Sequence, residues 1–203
     1  MAMKPDPAAP GKPSRVFFAL WPDARVAKRL DELGAEAHAE CGGRRTRCET
    51  LHLTLAFIGD VSPQRLAELI AVGNEVRNDR EATSFTLRLD LLGSWRHNRI
   101  VWAGAQSCPA PLAGLVERLN GALEAADFAV ERRPFAPHVT LLRKAHTQVS
   151  TRCVDPIDWP VDGFVLVESV QTSTGAHYRT LREWRAGKGG GEGADSRGAG
   201  KSG

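Results

Sequence analysis

The 203 residues hold no run close to the ~18 consecutive apolar positions that a membrane-crossing helix needs. The first 13 residues, interrupted by Pro5, Pro7, Pro10 and Pro13, have no apolar core of a secretory signal, so a cytoplasmic protein is expected. Cysteine is sparse, and Cys41, Cys48, Cys108 and Cys153 form no C-x-x-C pair and have no histidine at ligand spacing. That pattern predicts free thiols and no zinc site. Net charge is also small: 27 Lys+Arg less 24 Asp+Glu leaves +3. Residues 1–13 contribute +1 (Lys4, Lys12, Asp6) and residues 186–203 another +1 (Lys188, Arg197, Lys201, Glu192, Asp195), which leaves +1 for the body. A nearly neutral body excludes a protein that coats nucleic acid along a basic stripe, and any such contact belongs in a pocket. Finally, no glycine fingerprint follows a predicted strand, which rules out Rossmann and P-loop nucleotide sites.

What the chain does have is an alternation of element types between two tails. The proline-bearing stretch 1–13 and the glycine-rich stretch 186–203 lack the apolar residues to offset their ordering entropy and are expected to be disordered. Between them, a body at 14–185 reads as strands near Arg15–Leu20, Leu51–Phe57, Phe85–Leu91, Ile100–Gly104, His138–Leu142, Gly163–Gln171 and Tyr178–Trp184. Helices are expected at Asp23–Ala39, with Val26, Leu30, Leu33 and Ala37 on one stripe, after Ser62-Pro63, and at Leu112–Ala126. This order does not force parallel βαβ units and favours an α+β fold with helices on mixed or antiparallel sheets.

One repeat is visible. LHLTLAF at 51–57 and PHVTLLR at 137–143 place histidines at 52 and 138, each with an arginine five positions upstream, Arg47 and Arg133. Two copies about half a body apart suggest a duplicated chain whose lobes share one cleft. In a strand, residues i and i+2 share a face, so His52 projects with Thr54 while Leu51, Leu53, Leu55 and Phe57 project oppositely, and His138 projects with Thr140 while Val139 and Leu141 lie behind. With six His and eleven Thr in the chain, a His-apolar-Thr-apolar string is expected only ~0.06 times by chance, and it occurs twice. A pair of imidazoles, each near pKa ~6.5 when unperturbed, suits a reaction that takes one proton and gives another. Displacement at phosphorus is such a reaction, with the threonine hydroxyls donating to non-bridging oxygens and no metal or other cofactor required.

These residues, with the opening RVFFALWP and the segment RRPFAPHVTLLR, resemble the two-histidine phosphoesterase superfamily, specifically the bacterial RNA 2′,3′-cyclic phosphodiesterase family, formerly called 2′-5′ RNA ligases. The likeness spans about 14–185. It implies two pseudo-symmetric lobes, each a mostly antiparallel sheet flanked by helices, around a central cleft. It further implies opening of a 2′,3′-cyclic phosphate to a 2′-phosphate, with His52 as proton donor and His138 as proton acceptor. Thr54 and Thr140 would bind the phosphate, with Arg143 as a further phosphate contact, although the first motif has Phe57 at that place. The implied partners are RNA 3′ ends or small cyclic nucleotides, with no membrane, and the protein would act as a monomer. Phe17, Trp21 and Tyr178 are candidates for stacking on a base, and Arg47 and Arg133 for lining the cleft mouth. His38, His97, His146 and His177 lack a threonine partner and read as bystanders. The alternatives are 2′-5′ ligation through the same site and a non-catalytic module that binds RNA ends.

Overall fold

The computed structural model describes residues 14–78, 84–172 and 175–185. Both expected tails, 1–13 and 186–203, lie outside the described residues.

The described residues form nine strands and three α-helices: β1 (Ser14–Leu20), α1 (Ala24–Cys41), β2 (Arg44–Arg45), β3 (Leu53–Val61), α2 (Pro63–Asn78), β4 (Phe85–Trp95), β5 (Ile100–Gly104), α3 (Ala110–Ala125), β6 (His138–Arg143), β7 (Arg152–Val161), β8 (Gly163–Thr172) and β9 (Gly175–Arg185). The helices start where the sequence signals a start. Asp23 caps α1 by accepting the Val26 N–H at 2.7 Å, and Pro63 opens α2 directly after Ser62. On α3 the buried face is Leu112, Leu115, Val116, Leu119 and Leu123, the stripe expected from helical spacing. On α1 the buried stripe runs through Val26, Leu30, Gly34, Ala37 and Cys41, and Leu33 packs half-buried against the same core. Gly34 sits against β6, where a Cβ would be in ordinary contact with that of Leu141 at 3.8 Å.

The strands lie in the order β7-β4-β5-β6-β3-β1-β8-β9, with β2 added beside β6, and the pairings are antiparallel. At the centre β3 and β6 meet through one residue pair, Leu53 opposite Val139. Outward from that joint the two halves mirror one another, β3-β1-β8-β9 on one side and β6-β5-β4-β7 on the other. The helices exchange halves: α1 follows β1 but packs on β6 and β7, while α3 follows β5 but packs on α2 and β3. Each half is thereby covered by the other's helix, and one core joins both halves.

Two strands escaped the sequence reading. β7 (RCVDPIDWPV) contains Pro156 and Pro160 and stands at the end of the sheet, where a missing N–H breaks no ladder. β2 is two residues long and has no pattern of its own.

The helices and the main core occupy one face of the sheet. β1 shows the division: Val16, Phe18 and Leu20 belong to the main core, whereas Phe17 and Ala19 join Val165 and Val167 in a small separate cluster that carries Trp21 and Tyr178 at its margin. Among the described residues no helix is long and apolar enough to cross a membrane. The four cysteines are free, Cys41 buried and Cys108 and Cys153 exposed.

Candidate active site

The Leu53–Val139 pair brings the two motifs together. In an antiparallel ladder the residue numbers of facing pairs sum to a constant, so continuing this register by one residue sets His52 opposite Thr140 and Thr54 opposite His138. Facing residues share a sheet side, which places all four on one surface. The two histidines are then diagonal neighbours, a relation that in a regular ladder separates Cα atoms by about 7–8 Å. His138 is near enough for its charge to be one of the causes that lower the His52 pKa.

Both imidazoles are held in the same way. Nδ1–H of His52 donates to the Thr50 carbonyl at 2.7 Å, and Nδ1–H of His138 donates to the Ala136 carbonyl at 2.8 Å, in each case two residues upstream. A carbonyl only accepts, so Nδ1 must carry a proton and Nε2 is left to take or give one.

The strand alternation is broken at the same point in each motif. On β3, Thr54 faces Ala19 and Ala56 faces Phe18, so Leu55 is an extra residue; on β6, Thr140 faces Trp102 and Leu142 faces Val101, so Leu141 is extra. Each bulge stands three positions after its histidine and shifts the following side chains by one place. Phe57 and Arg143 thereby return to the histidine face, both exposed, with Leu55, Ala56, Leu141 and Leu142 buried behind them. Arg143 lowers the pKa of both His52 and His138, as a cation within range of both imidazoles does.

The surroundings of the two histidines differ. His52 is stacked on Trp21 with ring centroids 5.4 Å apart and planes 7° apart; Phe17 lies 5.0 Å away, and Tyr178 meets it edge-on at 5.1 Å. Burial, aided by the charges of Arg143 and His138, lowers its pKa to about 4 against the opposing bond to Thr50. His138 is lowered too, by burial first and then by Arg143, with the Ala136 carbonyl opposing. Among the described residues its ring contact is Trp95, T-shaped at 4.5 Å. Beside it opens a cavity of about 400 Å³, lined by Thr54, Trp95, His97, Asn98, Phe135 and His138 among others.

Phe17, only 4% exposed, has too little free surface to stack a base and instead supports His52. Trp21 likewise gives a face to His52, and Tyr178 gives an edge to it. Arg47 pairs with Glu49 at 3.2 Å, and Arg133 pairs with Glu131 on the wall of the cavity. His97, read from sequence as a bystander, lies in the turn between β4 and β5, next to β6, and lines the cavity with His138. Trp95 was missed, and its sequence signal was faint: an aromatic at the far end of an alternating strand, with nothing local to link it to residue 138. Among the described residues no group of three or more His, Cys, Asp or Glu is placed to hold a metal ion.

Residues 20–102 match the family model described as LigT like Phosphoesterase. The RNA 2′,3′-cyclic phosphodiesterase of Escherichia coli is 32% identical over 177 residues, covering 85% of this chain and 97% of that protein. That of Thermus thermophilus is 29% identical over 179 residues, covering 84% and 89%. The crystal structure of E. coli LigT complexed with 3′-AMP superposes with a TM-score of 0.75 at 31% identity, covering 86% of this chain and 98% of that one. The fold is therefore shared with these proteins over most of this chain and nearly all of theirs, and the chain belongs to the LigT-like phosphoesterase family.

Proposed function

We propose that this chain is an RNA 2′,3′-cyclic phosphodiesterase, a phosphoric diester hydrolase that opens 2′,3′-cyclic phosphates of RNA 3′ ends or small nucleotides to 2′-phosphates. The observation that carries the reading is the matched pair of imidazoles, each with Nδ1–H fixed on a backbone carbonyl and Nε2 left toward a shared surface. The names of its relatives and the 3′-AMP bound by E. coli LigT support it.

The chemistry needs one imidazole of the pair protonated. Nε2 of His138 takes a proton from water as the water oxygen bonds to phosphorus. The bond from phosphorus to the 3′ oxygen breaks, and Nε2–H of His52 gives that oxygen its proton. The products are a 2′-phosphomonoester and a 3′-hydroxyl, and proton exchange with solvent resets the pair. Thr54 and Thr140 donate to the non-bridging oxygens, with Arg143 beside them, where negative charge grows in the transition state. The tether at Nδ1 suits either role, because it leaves Nε2 a lone pair when the ring is neutral and an N–H when it is charged. The polarity of the pair has a second reading, favoured by one observation: His52 is the imidazole that burial carries to about 4, so in the free enzyme it is ready to act as the base and His138 as the acid. The reading takes the enzyme to act as a cytoplasmic monomer.

The test is phosphorus NMR of the product from an oligonucleotide ending in a 2′,3′-cyclic phosphate, run with EDTA present. A 2′-phosphomonoester signal is expected. A 3′-phosphate, or turnover only after a divalent metal is restored, would overturn the mechanism. Formation of a 2′-5′ linkage in place of hydrolysis would point to ligation, and binding without turnover to an RNA-end module.

A further inference from the structure

Two arginines face each other across β2 and the end of β6 without a carboxylate paired to either among the described residues. β2 pairs antiparallel with β6, Arg44 opposite Arg143 and Arg45 opposite Leu142, and Thr46 N–H donates to the carbonyl of the bulge residue Leu141 at 2.8 Å. Facing side chains in such a ladder have Cβ atoms about 4.5–5.5 Å apart, and like charges there repel. Neighbouring arginines are neutralised, Arg45 by Asp31 at 2.6 Å and Arg47 by Glu49 at 3.2 Å. No ion pair among the described residues engages Arg44 or Arg143.

The backbone is built to allow this approach. Gly42 and Gly43 precede Arg44 with φ of +61° and +90°, and a Cβ on Gly43 would lie 2.9 Å from the Arg143 carbonyl oxygen and 2.8 Å from the Ala145 Cα. Only glycine brings the 42–46 segment this close to β6. Both side chains are exposed; Arg143, on β6 with His138, is near enough for its charge to act on both imidazoles, and Arg44 stands on the strand beside it. The pair therefore sets a second positive charge beside the one that acts on the imidazoles.

We propose that Arg44, facing Arg143, forms a subsite for a second phosphate of the substrate, the internucleotide phosphodiester next to the terminal cyclic phosphate. Guanidinium forks match phosphate oxygens, and an anion between the two arginines removes their repulsion. This rests on the hydrolase reading and narrows its substrate class: an RNA end carries the second phosphate, and a cyclic mononucleotide does not.

The test compares kcat/KM on adenosine 2′,3′-cyclic phosphate with kcat/KM on a diadenosine ending in the same cyclic phosphate. The wild-type protein should favour the dinucleotide by about tenfold or more. In Arg44→Ala that ratio should collapse toward one, while Arg44→Lys, which keeps charge but loses the fork, should retain part of it. The slope of log(kcat/KM) against log[salt] should be steeper by about one for the dinucleotide in wild type and lose that excess in Arg44→Ala. Equal rates on the two substrates in wild type, or an Arg44→Ala ratio matching wild type, would overturn the subsite. So would an equal fall on both substrates, which would make Arg44 a support for the Arg143 strand only. A wild type that opens neither substrate would overturn the hydrolase reading itself, and this inference with it.

Discussion

Phe57 and Arg143 hold equivalent places in the two halves: each is the fifth residue after its histidine, and each is returned to the histidine face by a bulge two positions earlier. One is an apolar ring, 57% exposed, and the other a guanidinium. The frame of the site is thus symmetric and its chemistry is not. An exposed ring marks the His52 strand and a cation the His138 strand, so a substrate with one charged end and one apolar end has a preferred direction in the cleft.

The roles of the two histidines are separable by changing the leaving group. General acid help matters when the departing oxygen is a poor anion and not when it is replaced by sulfur. His52→Ala should lose on the order of 10²–10⁴ in rate on the natural cyclic phosphate and recover most of it on a 3′-thio analogue, whereas His138→Ala stays slow on both. The mirror result would assign the base to His52, as its low pKa favours. A loss below tenfold in both variants would remove the pair from the mechanism.

The pH profiles should differ between free and bound enzyme. The reactive form holds one proton on the pair, so activity falls below the lower pKa and above the higher one. Burial lowers both histidines in the free protein, His52 to about 4, which places the kcat/KM optimum on the acid side of the ordinary histidine value. A bound phosphate anion favours the charged imidazoles, so kcat should peak at higher pH than kcat/KM. Coincident optima above neutrality would contradict the burial seen at His52.

Trp21 covers one face of His52, and burial is the largest cause of the low pKa there. Trp21→Leu should let water in and raise the His52 pKa toward its ordinary value, with turnover falling about tenfold as the ring loses its fixed orientation. Trp21→Phe keeps a stacking ring and should stay near wild type in both. An NMR titration of the imidazole reads the shift, and an unmoved pKa in the leucine variant would assign the burial to Phe17 and Tyr178.

Two helical glycines should respond oppositely to alanine. A Cβ on Gly73 would lie 2.2 Å from Trp184 Cζ2, and that indole cannot yield, since its Nε1–H donates to Asn74 at 2.8 Å and its ring stacks on Phe164 at 5.0 Å. Overpacking at the upper end of about 1–3 kcal/mol outweighs the roughly 1 kcal/mol gained in helix propensity, for a net loss near 2 kcal/mol in Gly73→Ala. Gly121 on α3 has nothing within 4 Å of its Cβ position, so Gly121→Ala should gain about 0.5–1 kcal/mol. Denaturant midpoints with unchanged slopes would measure both, and a stabilised Gly73→Ala would show that α2 can move away from β9.

Patterns that depend on neighbours in the chain were legible before the fold was known. Helical stripes such as Leu112, Leu115, Leu119 and Leu123, the cap at Asp23, and the pairing of His with Thr on one strand face all follow from local geometry, with periods of 3.6 and 2. The repeat of two rare strings was enough to point to paired imidazoles and a shared cleft. Features that depend on a partner strand were not legible. Regular alternation puts Arg143 and Phe57 on the face opposite the histidines, and only the ladders to β5 and β1, with one residue too many on β6 and β3, reverse that. The proline-bearing strand β7 became possible because the sheet ends there, and the exchange of α1 and α3 between halves was set by which apolar faces were left to cover. The sequence by itself determined which groups are the candidates for the chemistry, since their identity and spacing need no partner; the tertiary structure alone decided which way they face and how buried they are, because register, bulges and desolvation exist only between elements.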